Sequence, residues 1–128
     1  MPRLRARAAV CLLTLVLSLA VLALAPGVAS AAEVLQVRSP SLLQVGDSNR
    51  SYTVELACMA PIEGERDQAL AWLRQQLPRR TRVNLRPIGN HDGILVARVQ
   101  KLGAPDDVSR GLIAAGFADS LSEPLACR

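Results

Sequence analysis

The stretch LLQVGDSNRSYTVEL, residues 42–56, holds two apolar segments separated by a turn. Residues 46–49, GDSN, are the residue types that favour a reversal of the chain. After this turn, residues 51–56 alternate strictly between polar and apolar side chains, so that Tyr52 and every second residue after it share one face. The stretch therefore predicts a β-hairpin.

A further strand precedes this hairpin, and a helix follows it. Residues 34–38 alternate loosely and predict the first strand. Residues 63–77 repeat apolar side chains at helical spacing and stop before Pro78. Acidic residues crowd the start of this helix and Arg74 lies near its end, an order that complements the helix dipole.

Two strands and a second helix complete the chain. Residues 82–86 and 94–99 predict the strands, and residues 87–93, which contain two glycines, predict a loop between them. Asp106 and Asp107 can cap the second helix, which we expect to stop at Gly116.

The predicted order of elements is β-β-β-α-β-β-α in a single domain of residues 32–128. Five short strands with a helix between the third and the fourth are typical of a small closed barrel of the OB type. We therefore predict a β-barrel with helices, in the α+β class, with a five-stranded OB fold.

Residues 1–31 have the three parts of a secretory signal peptide. Three arginines before residue 8 precede an apolar run over residues 8–25, and Pro26 ends that run. The small residues 29–31 suit a signal peptidase, so we expect cleavage after Ala31 and export to the periplasm, an internal lumen or the extracellular space. The alternative is an uncleaved membrane anchor, because the apolar run is close to the minimum length for a bilayer span.

The net charge of the chain falls once this segment is removed. The whole chain has 15 basic and 11 acidic residues, a net charge of +4. Three of the basic residues lie in residues 1–31, so residues 32–128 retain 12 basic and 11 acidic residues, a net charge of +1. The basic total therefore indicates an export signal and not a nucleic-acid partner. The length of 128 residues excludes a multidomain enzyme. Because 50% of the residues are hydrophobic, a disordered chain is also excluded.

Two cysteines remain after export, since Cys11 lies in the signal peptide. In an oxidising compartment, Cys58 and Cys127 predict a disulfide, and two unrelated thiols are the alternative. The two cysteines and the distant His91 lack the spacing of metal ligands, so we predict no metal site. The sequence also contains no phosphate loop, dinucleotide fingerprint or zinc motif.

Three segments resemble the thermonucleases, the staphylococcal-nuclease-like family. Residues 54–61 and the acid-led helix after them resemble the family's Val-Arg-Leu…Pro-Glu segment. Residues 93–99, GILVARV, are similar to its Gly-Arg-x-Leu-Ala-x-Val strand, and residues 108–118 resemble its Val-Asn…Leu-Val…Gly-Leu-Ala helix. The resemblance implies a thermonuclease-type OB fold, and the family's activity is calcium-dependent hydrolysis of DNA and RNA.

The resemblance also indicates where the family's catalytic groups would lie. The family's Asp-Gly-Asp-Thr segment corresponds to residues 38–41, and its later aspartate corresponds to Ala60 or falls in a one-residue gap. The two arginines correspond to Glu55 and Ile94, and the general base corresponds to Ile62. Glutamate in place of an arginine reverses the field toward a phosphate. Glu63, one residue after the position of the base, is the one candidate catalytic carboxylate. The resemblance thus implies the fold and argues against the reaction.

Two other groups of residues are candidates for function. Arg79, Arg80, Arg82 and Arg86 form a basic cluster that could bind an anion, although a solvated helix end and strand face is the interpretation we favour. His91 and Asp92 could perform acid–base chemistry, but an exposed turn is the simpler interpretation.

Binding of nucleic acid by an OB barrel normally requires aromatic side chains that stack on bases. Residues 32–128 offer Tyr52, Trp72 and Phe117, and the last two lie among apolar neighbours that predict a core position. Tyr52 could face either way. The support for a nucleic-acid partner is therefore weak.

We predict an exported, disulfide-bonded, thermonuclease-like barrel that is catalytically inactive, a pseudoenzyme serving as a binding or structural module. Its expected partner is a protein, and no cofactor is expected. The alternative is a divergent secreted nuclease that uses Glu63, the arginine cluster and calcium. A membrane partner is expected only if the signal peptide stays uncleaved.

Overall fold

The computed structural model describes residues 31–128 and contains a closed five-stranded barrel. The predicted signal peptide lies outside the described residues, apart from Ala31. The strands are β1 (Ala32–Ser39), β2 (Leu42–Asp47), β3 (Arg50–Leu56), β4 (Met59–Pro61), β5 (Arg82–His91), β6 (Ile94–Lys101) and β7 (Ala118–Ser120). The helices are α1 (Arg66–Gln76) and α2 (Val108–Ala114), with short 3-10 turns at Glu63–Glu65 and Leu125–Cys127. Within residues 31–128, no helix has the length and apolarity that a membrane crossing needs.

The barrel has the strand order β1-β2-β3-β6-β5, and β5 pairs with β1 to close it. Neighbouring strands are antiparallel, except that β3 and β6 run parallel. Parallel strands need a long connection, and helix α1 lies in the connection between β3 and β6. The predicted barrel with helices is thereby confirmed.

The predicted hairpin forms the β2–β3 pair. Ser48 and Asn49 make its two-residue turn, and Val45 lies opposite Tyr52. Ser48 has a φ of 57°, the left-handed conformation that such tight turns use. Val54 and Leu56 point into the core, as their alternation with polar residues predicts.

The interior of the barrel is filled by small branched side chains, and α1 covers part of this core. The fully buried valine and leucine side chains of the strands are Val34, Leu43, Val45, Val54, Val83 and Val99. Ala69 and Leu73 of α1, together with Leu77 just after it, join the same cluster. Each buried leucine contributes about 2 kcal/mol through the hydrophobic effect.

The predicted loop over residues 87–93 is wrong, because β5 continues to His91. Pro87 and Gly89 lie opposite Ala97 and Val96, with a bulge between them that shifts the register by one residue. The bulge accommodates a proline that lacks an N–H donor. The true turn is Asp92-Gly93, and both residues have positive φ, as the Asp-Gly pair of a tight hairpin favours.

The two predicted helices are present, and only the first has a shifted start. The first begins as the 3-10 turn Glu63–Glu65, and α1 proper starts at Arg66. Asp107 caps α2, since its Oδ1 accepts a hydrogen bond from the backbone N–H of Arg110 at 3.0 Å. Gly116, with a φ of 84°, follows the end of α2 as predicted.

A second, two-stranded sheet was not predicted. It pairs β4 with β7, so that Ala60 lies opposite Asp119. Each strand has three residues, too short for a periodic pattern to appear in the sequence. This sheet joins the chain just after the barrel strand β3 to the segment just after α2.

The predicted pairing of Cys58 with Cys127 is confirmed, since a disulfide joins these two residues. The link joins residues 69 positions apart and anchors the C-terminal segment beside β4. Closing a loop of that length stabilises the fold by about 4 kcal/mol when the unfolded chain is the reference.

Helices α1 and α2 meet where Trp72 packs over Gly111. A β-carbon added to Gly111 would lie 2.6 Å from Cη2 of Trp72. That distance is shorter than any normal contact between carbon atoms, so only glycine fits beneath the indole ring as it stands.

Gly111→Ala is therefore expected to destabilise the protein although alanine is the better helix former. We expect a loss of about 1 kcal/mol in the free energy of unfolding, since overpacking outweighs the gain in helix propensity. Trp72 is the sole tryptophan, so its emission should shift to the red as the ring moves toward water. Chemical denaturation and fluorescence measure both effects.

Gly64→Ala is the matched control, because a β-carbon at Gly64 meets no atom within 4 Å. The control should change the free energy of unfolding by less than about 0.5 kcal/mol. A stabilised Gly111→Ala variant with unchanged emission would contradict the tight contact.

Candidate functional site

The predicted arginine cluster is divided by the fold. Arg82 and Arg86 are both exposed on the same side of β5, with buried Val83 between them. Arg79 instead lines a separate cleft with Gln36 and Gln44. The four arginines are neighbours in the chain, but they do not form one surface.

Arg86 lies opposite Arg98 on the β5–β6 pair and forms a groove with arginines from other parts of the chain. The arginine groove is defined by four residues, Arg86, Arg98, Arg110 and Arg128. It has two adjoining lobes with cavity volumes of about 410 and 300 Å³. Both lobes are lined by Arg86, Arg98, Gln100 and Asp107.

Arg98 forms the floor of this groove through an ion pair with Asp107. Its Nη1 lies 2.9 Å from Oδ2 of Asp107, and the two side chains are only 15% and 11% exposed. Its Nη2 donates a hydrogen bond to the carbonyl oxygen of Ala126 at 3.3 Å. Arg98 thus connects β6 to the start of α2 and to the C-terminal segment.

The other three arginines of the groove are exposed, and their charges are balanced to different degrees. Arg110 lies 3.6 Å from Asp106, and Arg128 lies 2.6 Å from Glu123. Arg86 forms no ion pair with any carboxylate of residues 31–128. The groove therefore retains an excess of positive charge centred on Arg86.

A second polar site lies at the turn between β5 and β6. His91 Nδ1 is 2.9 Å from Oε2 of Glu55, and His91 Nε2 is 3.5 Å from Oδ2 of Asp92. The hydrogen bond to Glu55 and its negative charge, followed by the charge of Asp92, raise the pKa of His91 above its ordinary value of 6.5. The His91 side chain is exposed, as expected, at 67%, although His91 is the last residue of β5. Its partner Glu55 was not predicted.

Glu55 and His91 are separated by 36 residues, and only the barrel brings them together. Glu55 lies on β3 opposite Val96 of β6, and His91 lies opposite Ile94 of the same strand. No pattern in the sequence could have indicated this pair without the β3–β6 and β5–β6 registers.

The positions that the thermonuclease resemblance assigns to catalysis lie in several elements. Arg38 donates a hydrogen bond to Gln44 at 2.6 Å, between β1 and β2. Ala60 lies in β4, and the backbone N–H of Ile62 donates to the carbonyl oxygen of Phe117. Glu63 is 91% exposed and lies 3.9 Å from Arg66. Glu63 lines neither lobe of the arginine groove.

The three aromatic side chains of residues 31–128 pack against the core. Tyr52, Trp72 and Phe117 are all partly buried there. Burial, together with the charge of Asp47, raises the pKa of Tyr52 above its ordinary value of 10.0. The predicted core positions of Trp72 and Phe117 are confirmed, and Tyr52 joins them.

Within residues 31–128, no set of three or more His, Cys, Asp and Glu side chains is arranged to hold a metal ion. The chain matches no protein-family model and, at a significant level, no curated protein. Likeness to the thermonucleases therefore rests on the strand and helix motifs alone.

Asp107→Ala is expected to be strongly destabilising, because it leaves the guanidinium of Arg98 mostly buried without a partner. We expect a loss of about 3 kcal/mol or more in the free energy of unfolding. Asp107→Asn keeps an oxygen that can cap α2 and should lose about 1 kcal/mol less. Denaturant unfolding of both variants tests this difference. Equal losses would contradict the capping contribution, and a loss below about 1 kcal/mol in Asp107→Ala would contradict the role of the ion pair.

Glu55→Gln is expected to lower the pKa of His91 toward 6.5, because Glu55 is the main cause of its elevation. Protonated His91 contributes to stability below pH 6.5, and that contribution is lost as the pH rises through the elevated pKa of the folded protein. His91 is the sole histidine, so a proton NMR titration reports its pKa directly. Asp92→Asn, the matched control, should lower this pKa less. The reverse order of the two variants would contradict the assignment of Glu55 as its main partner.

Proposed function

We propose that this protein is an exported binding module built on an OB-type barrel and that it does not hydrolyse phosphodiester bonds. The position of α1 between the third and fourth barrel strands supports the OB type. The third barrel strand, β3, pairs in parallel with the fifth, β6, and the pairing of β1 with β5 closes the barrel.

The observation that carries this proposal is the environment of Glu55. The thermonuclease resemblance assigns this position to the first catalytic arginine. Here its carboxylate lies 2.9 Å from His91 and is 28% exposed. With His91 neutral the pair has a net charge of −1, and with His91 protonated it has none. Neither state supplies the positive charge that stabilises a phosphoryl group in its transition state.

A protein is the expected partner. The arginine groove places guanidinium and carboxylate groups side by side, an arrangement that suits a partner surface with complementary charges of its own. The aromatic rings that could stack on bases are instead packed against the core. These features favour a protein over a nucleic acid.

The disulfide supports an oxidising compartment as the place of this function. Export through the signal peptide would deliver the protein to the periplasm, an internal lumen or the extracellular space. An intact N-terminus in the native protein, detected by mass spectrometry, would instead indicate a membrane-anchored form.

A nuclease assay tests the proposal directly. We expect the exported protein, purified without reducing agent, to release no nucleotides from single-stranded DNA in the presence of calcium. The alternative function, a divergent calcium-dependent nuclease, predicts turnover that Glu63→Gln abolishes. Asp67→Asn, which removes a neighbouring exposed carboxylate, is the matched control. Turnover that is lost in Glu63→Gln and kept in Asp67→Asn would overturn the proposal.

A further inference from the structure

We propose that the arginine groove binds a peptide segment of the partner protein that carries an acidic side chain, with Arg86 contacting the carboxylate of that side chain. This inference rests on the proposed function, because it names the chemistry of the partner that the binding module recognises. It adds Arg98, Arg110 and Arg128 to the candidate anion-binding residues and removes Arg79, Arg80 and Arg82, which line neither lobe.

Two like charges lie opposite each other on β5 and β6. The β5–β6 register places Arg86 directly opposite Arg98, an arrangement that is unfavourable for two cations. Asp107 compensates Arg98 at 2.9 Å, but no carboxylate of residues 31–128 compensates Arg86. A carboxylate from outside would compensate it, and a guanidinium group can bind such a carboxylate through two parallel hydrogen bonds.

The shape of the groove suits an extended ligand. The two lobes share the wall formed by Arg86, Arg98, Gln100 and Asp107, so a ligand at Arg86 can extend from one lobe into the other. Asn84 lines the larger lobe and Arg110 lines the smaller one. Amide and guanidinium groups on both sides suit the backbone and carboxylates of an extended peptide.

The carboxylates in the smaller lobe favour a peptide over a polyanion. Asp106 and Asp107 line the smaller lobe, and the Asp106 side chain is 61% exposed. These carboxylates repel a chain of phosphates but tolerate one carboxylate placed at Arg86. The charge pattern therefore favours a peptide with few acidic residues over a nucleic acid.

The C-terminal segment of the chain forms one wall of the groove. Ala126 and Arg128 line the smaller lobe, and the disulfide at Cys127 holds this segment in place. Leu125 does not itself line either lobe, but it is next to Ala126, which does, and it is 72% exposed, the largest exposure among the large hydrophobic residues of the described chain. An apolar side chain of a peptide bound at Arg86 can cover Leu125, whereas inorganic phosphate cannot.

A peptide titration tests this inference. The probe is a short fluorescein-labelled peptide that contains glutamate and leucine residues, and fluorescence anisotropy measures its dissociation constant for the exported protein. We expect saturable binding that Arg86→Gln weakens about tenfold, the effect of losing one charge-assisted contact. Leu125→Ala should weaken it by a few-fold. Neither inorganic phosphate nor oligothymidylate should displace the peptide.

Arg82→Gln is the matched control, since Arg82 is exposed on the same side of β5 and lines neither lobe. It should leave the dissociation constant unchanged. Arg86→Lys keeps the charge but loses the two-pronged geometry, and we expect an intermediate affinity. Both substitutions are at exposed positions, so circular dichroism should show a native fold in each variant.

Several results would overturn the inference. These are absence of saturable binding, equal weakening by Arg82→Gln and Arg86→Gln, and displacement of the peptide by phosphate or oligothymidylate. DNA hydrolysis in the nuclease assay, combined with Arg86-dependent peptide binding, would overturn the proposed function but not the groove. Absence of hydrolysis, combined with retention of a protein partner by Arg86→Gln in a pulldown, would overturn the groove alone.

Discussion

The ion pair between Arg98 and Asp107 holds together three parts of the chain. Arg98 belongs to β6, Asp107 caps α2, and the same guanidinium binds the carbonyl oxygen of Ala126. Because both side chains are mostly buried, neither can lose its partner without leaving a charge shielded from water. The floor of the arginine groove and the start of α2 therefore depend on one contact.

The strand pairings of the barrel bring Glu55 to His91 and Arg86 to Arg98. The parallel pairing of β3 with β6 brings Glu55 near the turn that carries His91. The pairing of β5 with β6 brings Arg86 opposite Arg98. The disulfide then holds the C-terminal segment over the outer face of the β5–β6 pair, with Ala126 against Arg98. Each candidate site thus combines residues that the strand registers, and not the chain order, select.

Local sequence patterns predicted the elements whose causes are local. The alternation over residues 51–56 and the capping position of Asp107 both involve neighbours within a few residues, and both are present in the structure. The two glycines of residues 87–93 misled the prediction of β5, because Gly89 lies within the strand beside a bulge and only Gly93 belongs to the turn. The arginine cluster of residues 79–86 misled the site prediction for a related reason. The cluster groups residues by their order in the chain, whereas the fold places Arg79 and Arg86 in separate clefts.

By itself, the sequence determined the barrel with helices, the hairpin at residues 42–56, the cap of α2 and the pairing of Cys58 with Cys127. These features follow from periodicity, from turn residues and from a count of cysteines, all of which are properties of the chain before it folds. Only the tertiary structure decided that Glu55 meets His91 and that Arg86 meets Arg98, Arg110 and Arg128. The physical reason is that a side chain's long-range partners are set by strand register and barrel closure, and a change of one residue in register would replace every one of them.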